Sequence, residues 1–225
     1  MSTVTQTPMP SQANQPGVPL FRGMVRPALV SAVFFMLVTG LAYPLATTGV
    51  AQLVWPAAAH GSLVERGGAP AGSLLIGQNF SKPQYFHPRP SATLGPDPAH
   101  PDQSVAQPYN AAASGASNLG TTSKSLVDQV QARAAAYRSE NGLAADAPVP
   151  VDAVTASASG LDPDISVANA VLQAAHVAQA RGLTPQQVNA LIEQNVTPRQ
   201  LGVLGDPRVN VLKLNLALDA VNATR

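Results

Sequence analysis

The chain has 225 residues, a net charge of +1, only 11% charged residues and no cysteine. So small a charge excludes the basic field that nucleic-acid binding needs, and the missing thiols exclude cysteine nucleophiles, thiolate metal sites and disulfides. Aromatic residues are 4% of the chain, so any core is built from small aliphatic side chains.

Met1 to Phe21 is rich in Ser, Thr, Gln and Pro with no periodic apolar face, and too little of it is hydrophobic to offset the entropy of ordering. Residues 1–24 are therefore expected to form a disordered cytoplasmic tail. Ala28 to Trp55 carries no charged residue and meets the demand of a bilayer core for roughly 20 mostly apolar residues whose backbone is satisfied internally. A single transmembrane helix is expected over 25–55. Arg22 and Arg26 precede the uncharged segment and no Lys or Arg follows it until Arg66, which favours the N-terminus inside and the long C-terminal part outside. Tyr43 and Trp55 suit the outer interface, and Pro44 is expected to kink or end the helix. The small-residue run Gly49-Val50-Ala51 leaves a second reading, a cleaved signal peptide that releases a free-standing extracytoplasmic binding or hydrolytic protein starting near Gln52.

Ala57 to Gly72 reads as a Gly/Ala-rich connector, assigned to 56–72. Ser73-Leu-Leu-Ile-Gly-Gln78 then suits a buried strand. Between Phe80 and Tyr109 stand Pro83, Pro88, Pro90, Pro96, Pro98, Pro101 and Pro108, which withdraw backbone donors and forbid a long helix. Phe80, Lys82, Tyr85, Phe86, His87 and Arg89 either form a docking surface or pin this loop onto its own domain.

Thr122 or Ser123 can cap a helix running to about Arg138, with Leu126, Val130 and Tyr137, supported by Val127 and Ala134, on one face and Gly142 past its end. Val151 to Thr155 reads as a brief strand. Ile165-Ser166 opens a second helix through Ala180, with Val167, Val171, Ala174, Ala175 and Ala178 inward and Gly182 as the stop. Thr184-Pro-Gln-Gln187 is a capping box with proline at the first helical position, starting a third helix with Val188, Leu191 and Ile192. Thr197-Pro-Arg-Gln200 repeats the device. In Asp206–Asp219 the leucines alternate as in a strand, yet Asp206-Pro207 is a good cap and the composition favours helix; helix is the reading adopted.

These elements give an α+β fold class: a single N-terminal transmembrane helix followed by a small extracytoplasmic α+β domain over 73–225. Catalysis finds little support. There is no G-x-x-x-x-G-K-[ST] loop, no strand-borne G-x-G-x-x-G, and no Asp-Lys-Thr-Gly phosphorylation sequence. Ala156-Ser-Ala-Ser-Gly160 lacks the first glycine of a nucleophile elbow, so Ser157 and Ser159 suit turn hydrogen bonds. Asp152, Asp162 and Asp164 match no calcium loop and suit capping and turns. His60, His87, His100 and His176 fall at no metal-ligand spacing.

Several blocks in order carry a resemblance: Leu75-Ile-Gly-Gln-Asn-Phe80, Tyr85-Phe-His-Pro-Arg-Pro-Ser91, Ser114-Gly-Ala-Ser-Asn-Leu-Gly120, Pro150-Val-Asp-Ala-Val-Thr-Ala-Ser-Ala-Ser-Gly-Leu-Asp-Pro163, Ala180-Arg-Gly182 and Gly205–Leu218. From Met24 to Asp219 the chain resembles the KdpC family, the C subunits of Kdp-type potassium-transporting P-type ATPases. The resemblance implies a bacterial inner-membrane complex. Its other parts are a channel-like potassium-binding subunit, a P-type ATPase subunit and a very small membrane peptide, with the lipid bilayer around them. It implies a non-catalytic accessory role in assembly or stabilisation and in raising the ATP affinity of the catalytic subunit, so that ATP and potassium are met through the complex rather than as bound cofactors. Ser114-Gly-Ala-Ser-Asn118 stands where the family has a Ser-Gly-Gly-Ser-Asn loop likened to an ATP-binding signature, with Ala116 in place of a glycine. Asp164 stands where the family often has His or Asn. Gln78, Arg89, Ser117, Asn118 and Asp162 carry over as motif positions expected to hold the fold or the subunit interface; no catalytic or metal-binding residue is expected.

Overall fold

A segment made almost wholly of apolar side chains satisfies its peptide groups most cheaply by hydrogen bonding to itself. In the computed structural model, which describes residues 23–223, Val25 to Val54 accordingly forms one uninterrupted helical run. It consists of α1 (Val25–Leu37), a π-helical turn (Val38–Ala42) and α2 (Tyr43–Val54). The expected effect of Pro44 is absorbed by that π turn. Proline lacks an N–H and its ring crowds the preceding turn, and widening the five residues before it keeps the helix going, with Tyr43 N–H donating to Val38 O. Thr39 Oγ1 donates to Phe35 O at 2.6 Å and Thr47 Oγ1 to Tyr43 O at 2.9 Å, so both hydroxyls are satisfied inside the helix. None of its side chains is buried within the protein. At 1.5 Å per residue the run is about 45 Å long, more than the roughly 30 Å of a hydrocarbon core. A short helix, α3 (Pro56–Ala59), follows. Of the expected tail, residues 1–22 lie outside the described residues.

The chain divides between Ala59 and His60 into two units. The second unit begins with a hairpin where a connector was expected. β1 (Leu63–Arg66) pairs antiparallel with β2 (Ala69–Ser73) around Gly67-Gly68, whose φ of +60° and +79° suit the tight turn that follows the strand twist. The strand expected over Ser73–Gln78 is instead turn and irregular chain past Ser73. The serine hydroxyl decides this, donating to Gly61 O at 2.7 Å and accepting from Leu75 N at 3.1 Å, a local bond that competes with a sheet ladder.

No helix occurs between residues 77 and 123, and the proline-rich stretch contains only the small antiparallel pair β3 (Leu94–Pro96) and β4 (Ser104–Ala106). α4 (Lys124–Glu140) follows Ser123; its Leu126, Val130, Ala134 and Tyr137 are half-buried, but Val127 is exposed. Val151–Val154 is one helical turn, α5, rather than a strand. Ile165-Ser166 belongs to β5 (Asp164–Ser166), and α6 (Val167–Arg181) starts after it, with Ser166 Oγ accepting from Asn169 N at 3.1 Å. Its inward face is Asn169, Ala170, Gln173, Ala174, Val177 and Ala178, while Val171 and Ala175 point outward. The difference is a rotation of the face to take two carboxamides inside. Gly182 ends α6, and the capping box at Thr184 and Gln187 opens α7 (Pro185–Asn195) as expected.

Thr197-Pro198 opens no helix. β6 (Val196–Thr197) pairs with β7 (Arg208–Asn210), and β7 pairs with β5, all antiparallel, in the order β5-β7-β6. Because Arg208–Asn210 is strand, the last helix, α8 (Val211–Ala223), is capped by Asn210 Oδ1, which accepts from Lys213 N at 3.0 Å, and not by Asp206-Pro207.

The core lies between this sheet, α6, α7, α8 and a strip of the proline-rich loop. Phe86 is fully buried there, so the loop is pinned to its own domain, with Phe80 packed at the edge of the core and only Lys82 of that aromatic and basic set well exposed. Phe86 N–H donates to Asn215 Oδ1 at 2.8 Å and Asn215 Nδ2 donates to Phe86 O at 3.0 Å. One residue on, His87 N–H donates to Gln173 Oε1 at 2.7 Å and Gln173 Nε2 to His87 O at 3.1 Å. Replacing Asn215 by leucine leaves the buried peptide groups of Phe86 without partners. Asn215→Leu is expected to cost about 2–4 kcal/mol and to lower the thermal unfolding midpoint by several degrees, whereas Asn79→Ala, at an exposed position, leaves it unchanged.

Candidate functional site

Pro88 and Pro90 hold Arg89 in extended chain, and its guanidinium turns to the loop before β5. Arg89 Nη1 donates to Asp162 Oδ2 at 2.7 Å, with the two side chains 24% and 27% exposed. Arg89 Nη2 reaches Thr155 Oγ1 at 3.5 Å, and Nε is buried without a partner. Tyr109 OH donates to Arg89 O at 2.8 Å. Burial, then the Asp162 carboxylate, push the Tyr109 phenol far above its ordinary range, outweighing the opposing Arg89 charge. It is a fixed donor, not a proton carrier. A groove of about 430 Å³ runs past Phe80, His87, Arg89, Tyr109 and Tyr137.

Beside this pair, hydroxyls knit four loops together. Ser91 Oγ donates to Gly160 O at 2.8 Å and accepts from Tyr109 N at 3.0 Å. The buried Thr93 Oγ1 donates to Gln107 O at 2.6 Å and accepts from Asn110 N at 3.1 Å. Gly115 N–H and Ser114 Oγ both donate to Ser159 O at 2.9 Å. Gly160 sits at the centre with φ +68°, where an added Cβ would lie 2.6 Å from Thr93 Cγ2 and 2.7 Å from Gly115 O; only glycine fits. Ser157 Oγ accepts from Gly160 N at 2.9 Å and Ser159 Oγ from Leu161 N at 3.1 Å, both in turns.

Of the motif positions, Arg89 and Asp162 meet. Gln78 lies apart, its Nε2 donating to Ala71 O at 2.8 Å and tying the chain after the hairpin to β2. Ser117 and Asn118 are exposed on the loop before α4 and take no part in the cluster. That loop makes a poor phosphate cradle, because the Gly115 N–H is already bonded to Ser159 O and α4 begins only at Lys124.

The three aspartates first weighed as cation ligands act on backbone and side chains. Asp152 accepts from Ser166 N at 2.8 Å, Ser166 Oγ at 2.9 Å and Asn169 Nδ2 at 3.0 Å, covering the start of α6. Asp162 Oδ1 accepts from Asp164 N at 3.0 Å. Asp164 accepts from Arg208 Nε at 2.8 Å, and burial raises its carboxyl despite that partner.

A second polar centre escaped the sequence reading. Asp219 on α8 receives Arg181 Nη2 of α6 at 2.8 Å, Arg66 Nη1 of β1, and Tyr85 OH at 3.3 Å. Arg181, 3% exposed, also lies 4.8 Å from the centre of the Tyr85 ring. The signal available was an aspartate one turn after Asn215 on a leucine-rich helix. Burial pushes the Asp219 carboxyl up, but the hydrogen bonds and charges of Arg181 and Arg66 together outweigh it and hold the group below the usual carboxylate range.

The family model described as "K+-transporting ATPase, c chain" (KdpC) matches residues 25–220. The chain is similar to the potassium-transporting ATPase KdpC subunit of Rhodopseudomonas palustris strain TIE-1, 56% identical over 196 residues, covering 87% of this chain and 96% of that protein. It is 54% identical over 199 residues to the same-named subunit of Bradyrhizobium diazoefficiens, covering 88% and 98%. The corresponding subunit of Methylobacterium nodulans is 53% identical over 195 residues, covering 87% and 96%.

Two outcomes follow from the geometry. In a double-mutant cycle read by urea unfolding, Arg89→Ala and Asp162→Asn each destabilise, and the pair couples by about 0.5–3 kcal/mol. Because the folded Asp219 carboxyl titrates below its unfolded value, its contribution is present above the ordinary carboxylate value of about 3.9 and is lost as pH falls through the lower folded value. The difference in stability between the native chain and Asp219→Asn is therefore expected to be constant near neutral pH and to shrink below about pH 4.

Proposed function

Because this chain belongs to the KdpC family, the c chains of K+-transporting ATPases, we propose that it is the one-span, non-catalytic subunit of such a pump. The observation that carries this reading is the family match across both units, from residue 25 to residue 220, on a fold whose polar groups are engaged in holding loops together. Arg89, Asp162, Tyr109, Asp152 and Asp219 each have hydrogen-bond partners within the chain, so what remains for the folded unit is to bind and position other chains.

The helix Val25–Val54 anchors the chain in a bacterial inner membrane. Its length and the absence of any charged residue after Arg26 support this. The flanking charges support the orientation: Arg22 before the helix and Arg26 in its first turn, with no Lys or Arg after it until Arg66, favour the N-terminus in the cytoplasm and the unit from His60 onward outside. The partners are the channel-like potassium-binding subunit, the P-type ATPase subunit and the small membrane peptide. The subunit stabilises their assembly, and any effect on the ATP affinity of the catalytic subunit passes through those contacts, since an outside unit does not meet cytoplasmic ATP. Arg89, Asp162 and Gln78 serve by fixing the loops, and Ser117 and Asn118 stand exposed where a partner can reach them.

A tagged copy of the full chain, extracted in mild detergent from its own host grown at limiting potassium, is expected to bring down a P-type ATPase and a large polytopic subunit in fixed ratio. Recovery of the chain alone, or its absence from the membrane fraction, overturns the proposal.

A further inference from the structure

The buried side-chain atoms that the described residues leave without a hydrogen-bond partner are Arg89 Nε, Asn141 Oδ1, His176 Nε2 and Asn189 Oδ1. Two of them, Asn141 Oδ1 and His176 Nε2, belong to residues on the wall of one open cavity of about 520 Å³ between the C-terminal end of α4 and α6. Buried polar atoms are ordinarily bonded, so two unbonded ones on one wall show what chemistry that wall can still receive. Both are acceptors. Asn141 Nδ2 donates to Tyr137 O at 2.9 Å, which leaves the amide oxygen over. Glu140 O, 2.9 Å from His176 Nδ1, can only accept, so Nδ1 carries the proton of that bond and Nε2 offers a lone pair in the neutral ring.

The rest of the wall has the same character. Glu140 adds a carboxylate, of which Oε1 meets His87 Nδ1 at 3.0 Å while Oε2 takes no bond among the described residues. α4 ends at Glu140, and the carbonyl end of a helix carries partial negative charge. Neither Lys nor Arg lines the cavity; Arg138, in the last turn of α4, donates instead to Ala147 O at 2.8 Å. Pro83, Ala175 and Ala180 supply apolar lining beside the acceptors.

We infer that this cavity is a binding site for a free, small organic cation with a primary ammonium group. Its N–H donors go to Asn141 Oδ1, His176 Nε2 and the Glu140 carboxylate, and its alkyl chain lies on Pro83, Ala175 and Ala180. The acceptors select this class. A carboxylate or phosphate would meet a negative charge and two lone pairs. A hard metal cation prefers oxygen throughout, and one of the three acceptors here is a nitrogen. An ammonium group brings three N–H donors, one for each. The volume of about 520 Å³ suits a whole small ligand, since such sites run from about 300 to 1,000 Å³.

The full chain in mild detergent, alone and together with the chains that co-purify with it, is titrated with n-butylammonium chloride and followed by ligand-observed NMR at constant ionic strength. The control ligand is n-butyltrimethylammonium chloride, which keeps the charge and has no N–H. Saturable binding of butylammonium is expected in both preparations, weakened by about tenfold or more for the quaternary ion and for Glu140→Gln, a substitution of equal size that leaves the unfolding midpoint unchanged. Absence of saturable binding, equal binding of the quaternary ion, or no effect of Glu140→Gln overturns the site. Binding to the chain alone but not to the assembled complex means that a neighbouring chain fills the cavity, and overturns the free ligand. Should Glu140→Gln unfold more easily, the comparison of the two cations on the native chain decides. The subunit assignment is untouched by any of these outcomes.

Discussion

Two side-chain amides hold this domain together. Phe86 and His87 lie in extended chain between Pro83 and Pro88, a segment with no neighbouring strand, yet Phe86 is fully buried. A peptide group taken out of water without a partner is costly, and here the partners are supplied by carboxamides reaching from helices: Asn215 of α8 grips the N–H and C=O of Phe86, and Gln173 of α6 grips those of His87. Each amide acts as one residue of a strand that is not there. Without that pairing the largest apolar side chain of the core would have to be brought in at the cost of two bare peptide groups.

The grip extends into a relay. Gln173 Nε2 also donates to Asn169 Oδ1 at 2.9 Å, Tyr137 OH donates to the same oxygen at 2.9 Å, and Asn169 Nδ2 donates to Asp152. Burial, then the carboxylates of Asp152 and Glu140, keep the Tyr137 phenol protonated, so its donor role is fixed. Through this line α4, α5, α6 and the proline-rich loop share one hydrogen-bonded network, and His87 Nδ1 adds a contact to Glu140 Oε1 at 3.0 Å. Asp219 performs the matching service on the other side, fastening β1, α6 and Tyr85 to α8.

Asp152, Asp162, Asp164 and Asp219, and the tyrosines Tyr85, Tyr109 and Tyr137, are engaged in structure, and hydroxyl and carboxylate bonds tie together the loops around Gly160 and Arg89. The family match makes the chain part of a transport ATPase, and the physical reading agrees in kind: beyond Arg26 in its first turn, the membrane helix brings no charged side chain to an ion path.

The sequence by itself determined what depends on near neighbours. The charge-free run from Ala28 to Trp55, the capping box at Thr184 and Gln187, the stop at Gly182 and the helix through the leucines after Asn210 are each decided within a turn or two of chain. The family blocks likewise marked Arg89 and Asp162, which the fold brings into contact, though not the reason for it. Tertiary structure decided the rest. The β1–β2 hairpin is too short to show a pattern, Ser73 turned an apolar run aside, and Val151–Val154 became helix. Asn169, Gln173, Asn215 and Asp219 find no place in an inward face read from apolar spacing. Their partners lie far away in sequence, 129 residues between Phe86 and Asn215 and 153 between Arg66 and Asp219. A buried polar side chain is tolerated only when a complementary group arrives beside it, and only the completed fold brings the two together.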